Sequence, residues 1–115
     1  MALSNRDRIG KALDHLRDAL LPYIILQLNN NLGPNWQNNL PAHSNNLQDV
    51  HVLFWLFIEH WRSIFRKTLS DSDRAYISEL KEARNKWAHA QPISSDDVDR
   101  YLDTAIRFCK NINSI

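Results

Sequence analysis

Residues 70–92 read SDSDRAYISELKEARNKWAHAQP. The stretch opens on four helix-capping side chains, Ser70, Asp71, Ser72 and Asp73, and closes at Pro92, before which a helix must end. Ile77 and Leu80 stand between them at helical spacing. At 100° per residue, Arg84, Trp87 and Gln91 fall within roughly 80° of Ile77. The segment is therefore an amphipathic helix with one anomaly: an arginine in the middle of its apolar stripe. A guanidinium there is costly unless it is paired or borders a wet cleft. An ion pair with Glu59, or with an acid on another helix, is the plainest explanation. Asn85 and His89 occupy a different face as i,i+4 neighbours, and Glu82 falls on the same row. A Glu82–Asn85–His89 row near a helix end is placed to orient an imidazole, although a histidine there also serves as a simple cap.

The remaining chain repeats this pattern. Ser4 and Asp7 have capping-box spacing. Ile9, Leu13, Leu16, Leu20 and Ile24 then follow at helical intervals, with a kink expected at Pro22 and a stop at Gly33–Pro34. A second helix is expected over about residues 49–69, apolar nearly all round in its first half and so central. Val50, Phe54, Phe57, Trp61 and Ile64 share one of its faces. Val52, Trp55, Glu59, Arg62 and Arg66 share another, which suits either a second copy of the chain or packing beneath a loop. Ser94 and Asp97 cap a fourth helix, whose buried stripe includes Val98, Tyr101, Leu102, Ala105, Ile106, Cys109 and Ile112. Between the first two helices lies a long asparagine-rich loop, which Trp36 is placed to pin to the bundle. The expected fold is all-α: a four-helix up-and-down bundle with that long loop between helices 1 and 2.

Composition agrees. The 115 residues include only two glycines and are 43% hydrophobic and 23% charged. That length holds one core, so residues 1–115 read as a single domain, and the close of the chain soon after its last helix suits a piece of a longer protein. A net charge of +1 excludes a global basic field, so any RNA contact must be local. The lone Cys109 excludes an internal disulfide and lies on a buried stripe, as a core residue would. The N-terminus lacks a signal-peptide pattern, and the longest apolar run, residues 52–58, is too short to span a bilayer. A cytoplasmic chain without membrane contact is expected. His15, His43, His51 and His60 form no metal-ligand spacing, and no HExxH or CxxC occurs. Neither a metal nor a cofactor is expected.

ELKEARNKWAH, residues 79–89, resembles the signature of HEPN domains: an arginine, a polar residue directly after it, and a histidine four to six residues on. Here these are Arg84, Asn85 and His89. NRDRIGKALDHLRDALLPYI, FWLFIEHWRSIFRKTL and ISSDDVDRYLDTAIRF are similar to one branch of that family. It accompanies large helicase-type or other ATPase proteins of prokaryotic defence systems and is named after a eukaryotic transcription-associated RNA endonuclease. The resemblance implies a helical bundle that forms a homodimer with two motifs facing one cleft. It also implies metal-independent RNA cleavage in many members, and a binding or dimerisation role in others.

That chemistry suits the residue types. RNA carries its own nucleophile, the 2′-hydroxyl. Histidine titrates near neutrality and can move protons, and a forked, permanently charged arginine can hold the phosphate. The expected site is Arg84, His89 and Asn85, with Lys81, Lys86, Arg62 and Arg66 as candidate backbone-phosphate contacts. The expected function is an endoribonuclease of an antiviral defence or toxin-like system. The alternatives are a docking or dimerisation module for a larger ATPase/helicase region, and a nucleotide-binding domain using the same cleft.

Overall fold

The computed structural model describes residues 3–113. Helix α1 (Asn5–Leu32) begins where Ser4 accepts the Asp7 N–H at 3.0 Å. It continues through Pro22 as one helix and buries Ile9, Leu13, Leu16, Leu20, Ile24 and Leu28. At 28 residues it spans about 42 Å and sets the long dimension of the bundle, 46 Å. It ends at Gly33, whose φ of 87° is a left-handed conformation that glycine adopts without steric cost.

The loop that follows is pinned rather than loose. Two short 3₁₀ turns, Trp36–Asn39 and Ala42–Ser44, punctuate it, and the buried Trp36 donates its indole N–H to Asn29 at 2.6 Å. Trp55 lines a cavity with Trp36, Leu40 and Pro41, so the second face of the next helix packs beneath this loop.

Helix α2 (Val50–Glu59) is capped by Asp49 and is central, with Leu53, Phe54, Leu56 and Phe57 fully buried. It is shorter than expected. Beyond Glu59 the chain continues as turns and a 3₁₀ segment, Phe65–Lys67, in place of helix to residue 69. His60, Trp61, Ser63, Ile64 and Phe65 all belong to the weaker helix formers. The Phe65 and Arg66 N–H groups bond to the carbonyls of His60 and Trp61, five residues back. Trp61, Ile64 and Phe65 are buried all the same, and the Phe65 ring stacks on Phe57 with centroids 4.8 Å apart. Aromatic packing holds this segment where backbone propensity does not.

Helix α3 (Asp71–Ala88) opens with a complete capping box between Ser70 and Asp73. Helix α4 (Ser95–Asn113) opens with Ser94 accepting the Asp97 N–H at 3.1 Å. The four helices form an all-α bundle, with no strand among the described residues. The up-and-down order sets the start of α2 beside the end of α3, and that junction builds the site.

Candidate functional site

Ile77 and Leu80 on α3 enter the core at 0% and 2% exposure. One turn later the same stripe reaches Arg84 and then Trp87, both partly buried. They line a cleft of about 170 Å³. Helix α1 supplies Gly10, Leu13, Asp14 and Arg17 to it, and the start of α2 supplies Gln48, Asp49 and Val50. The arginine thus borders a cleft instead of lying inside the core.

Its partner is Asp49, not Glu59. The Asp49 carboxylate caps α2 by accepting the His51 N–H at 2.9 Å, and the same oxygen lies 4.0 Å from the Arg84 Nη2. That separation is ionic contact without a hydrogen bond. Glu59 is at the far end of α2, where it shares a separate cleft of about 340 Å³ with Arg62, Arg66, Asp71 and Arg74. The Arg84 side chain is 23% exposed and makes no side-chain hydrogen bond among the described residues. His51 stands next to this pair, its Nδ1 buried without a hydrogen-bond partner. Burial, and then the Arg84 charge, push its pKa below the ordinary histidine value; Lys81 adds to this and Asp49 opposes it. The ring is therefore neutral near pH 7.

His89 occupies a different place. It is the C-cap of α3 and exposed, and its N–H donates to the Asn85 carbonyl at 3.0 Å. Ala90 follows with φ 52°, while its N–H bonds to Trp87 O and the Gln91 N–H to Lys86 O. This is a Schellman closure with alanine where glycine is usual, so strain sits directly beside His89.

The expected Glu82–Asn85–His89 row is not joined by side-chain hydrogen bonds among the described residues. Glu82 turns instead to Lys86, 3.7 Å away on the next turn. Lys86 also meets Asp97 at 3.8 Å and lies over the Tyr101 ring, so it belongs to the groove between α3 and α4. Arg62 and Arg66 are exposed, with no carboxylate at ion-pair distance among the described residues. Lys81 lies within electrostatic reach of His51. Cys109 is half-buried, and burial raises its thiol pKa, which makes it a poor nucleophile.

One chain therefore gathers Arg84 and Lys81 near the start of α2 and leaves His89 at the helix end. Three of the residues it adds were not anticipated as site residues: Asp49, Asp14 and Arg17. The available signals were the position of Asp49 directly before an apolar run and the i,i+3 spacing of Asp14 and Arg17. Among the described residues no group of three His, Cys, Asp or Glu is placed to hold a metal, and no helix is long and apolar enough to cross a membrane.

No curated protein and no solved structure matches the chain significantly. The family model described as Swt1-like HEPN matches residues 11–113, from within α1 to the last residue of α4. That span includes all of α2, α3 and α4 and the Arg84–Asn85–His89 motif, and the chain belongs to the Swt1-like HEPN family.

Proposed function

We propose that this chain is a metal-independent endoribonuclease domain that works as a homodimer. The observation that supports it best is the state of Arg84: semi-buried, beside an open cleft, and met by one carboxylate among the described residues, that of Asp49 at 4.0 Å. A structural arginine is ordinarily bonded more fully than this.

In this reading Arg84 holds the scissile phosphate and stabilises the charge that builds on its oxygens. His89 takes the proton from the 2′-hydroxyl as that oxygen attacks phosphorus and then gives it to the departing 5′-oxygen. The products are a 2′,3′-cyclic phosphate and a 5′-hydroxyl. Arg84 and His89 diverge by roughly 140° along an ideal helix, so one chain is poorly arranged to supply both. A two-fold partner would bring the histidine of one chain to the arginine of the other. Asn85 would position the phosphate or the ring. Lys81, Arg62 and Arg66 are the candidate contacts to backbone phosphate; Lys86 is engaged by two carboxylates. The biological setting that fits is a cytoplasmic defence or toxin-like system in which the domain is joined to a larger ATPase or helicase region.

The Arg84–Asp49 contact favours a second reading, a docking module in which Arg84 is structural. The assay that separates the two uses wild type, Arg84→Ala and His89→Ala with chelator present, each variant first shown to be folded. Wild-type cleavage that both variants lose supports the enzyme. No cleavage by wild type on several RNAs supports the docking module.

A further inference from the structure

We infer that the cleft beside Arg84 is a base subsite, in which an unpaired RNA base next to the scissile phosphate stacks on Trp87. The inference rests on the ribonuclease reading and adds to it a place for the base.

Trp87 stands three residues after Arg84 on the same stripe and lines the cleft with it. Its ring is held in place. The Arg6 guanidinium lies over it, 5.1 Å from the centroid, and also donates to the Trp87 carbonyl. On the opposite helix the indole is met by Gly10. A Cβ there would stand 3.1 Å from Nε1 and 3.6 Å from Cε2. Glycine in a helix interior weakens the helix, and here it lets the ring lie close against α1. Leu13 and Val50 add apolar walls.

The rim is polar and mixed in sign. Asp14 and Arg17 stand 3.7 Å apart, an acceptor beside a donor. Every base carries donors and acceptors side by side on its Watson–Crick edge, and proteins read unpaired RNA bases there. Asp14 and Asp49 would repel a second phosphate, so the interior favours a neutral, flat, aromatic group over an anion. Purines present the larger stacking face, and stacking on aromatic side chains is the main sequence-tolerant term in single-strand binding.

The test is an NMR titration of the whole chain with the four nucleoside 3′-monophosphates and with inorganic phosphate, followed at the Trp87 indole N–H. The expected result is a Trp87 shift with nucleotides alone, purines binding about tenfold tighter than phosphate. Trp87→Leu should remove that advantage and leave phosphate binding unchanged. Should that variant fail to fold, Gly10→Ala decides, since it crowds the indole and keeps it; purine binding should weaken several-fold. Equal affinity for all five ligands, or equal weakening of nucleotide and phosphate in the variants, overturns the subsite. Wild type that cuts RNA yet shows neither base preference nor a Trp87 shift overturns the subsite alone. Wild type that binds purines at Trp87 and cuts no RNA keeps the subsite and overturns the ribonuclease reading.

Discussion

Helix α3 holds two charged residues in contrasting settings, Asp73 in its first turn and Arg84 three turns later. Asp73 is 2% exposed, and its carboxylate is saturated. It accepts from the Ser70 N–H at 3.0 Å, the Ser70 hydroxyl at 3.1 Å and the Asn111 amide at 2.6 Å. Arg84 has one carboxylate at 4.0 Å and faces a cleft. The first charge ties the start of α3 to the end of α4. The second is held in place but left available. A charge near the core with all its bonds made is structure; one with most of its bonds unmade is a candidate site.

Substitution should separate the two ends by kind of effect. His89→Ala should lower RNA cleavage by about 10²–10⁴ and Arg84→Ala by about 10²–10³. Neither should cost more than about 1 kcal/mol of stability, because His89 is exposed and Asp49 keeps its bond to the His51 N–H. Chemical denaturation alongside the cleavage assay checks both statements. A loss of several kcal/mol in Arg84→Ala would move Arg84 to the structural side.

Asp73→Ala should behave in the opposite way. Removing the carboxylate undoes the capping box and takes away the acceptor of the Asn111 amide. The expected cost is about 2–3 kcal/mol in urea denaturation, with cleavage per folded molecule unchanged.

A smaller effect is expected next to His89. Ala90 adopts a left-handed conformation that costs a non-glycine residue about 1 kcal/mol. Ala90→Gly should stabilise the protein by up to that amount, measured as a rise in melting temperature. A fall would mean that other contacts already compensate the strain.

The smallest effect is a slope with pH. Burial depresses the pKa of both His51 and His60, with Arg84 the next cause at His51. Below about pH 6.5 the unfolded chain binds these protons more readily than the folded one, so stability falls as the pH drops from there through the lowered folded values. Above pH 7 the two histidines add no further change. Arg84→Ala removes the nearby cation and should make the slope shallower, a check on the Arg84–His51 proximity that needs no RNA.

The sequence made three of the four helices legible because their caps are local chemistry: Ser4 and Ser94 each take up an N–H where the spacing says they should, and at the start of α3 Asp73 accepts the Ser70 N–H and hydroxyl. Helix α2 was overread because periodicity reports burial and not backbone hydrogen bonding. Trp61, Ile64 and Phe65 are buried as the pattern requires, in a segment that is not α-helical. Arg84 was legible as an anomaly on one helix. Asp49 was not legible as its partner, because that pairing depends on which end of α2 meets which end of α3. The Glu82–Asn85–His89 row failed for a local reason, the stronger i,i+4 attraction of Glu82 for Lys86. Asp73 read as one capping residue among four; its bond to Asn111 depends on tertiary placement.

The central claim is that Arg84 of one chain acts with His89 of another. The direct measurement is complementation: purify Arg84→Ala and His89→Ala, each inactive, mix them under conditions that allow subunit exchange, and assay RNA cleavage with chelator present. A mixed dimer has one composite site with an intact arginine from one chain and an intact histidine from the other. The account predicts that mixing restores cleavage to within a few-fold of wild type, since random exchange makes about half of the dimers mixed. A mixture that forms mixed dimers and stays as inactive as either parent would contradict it.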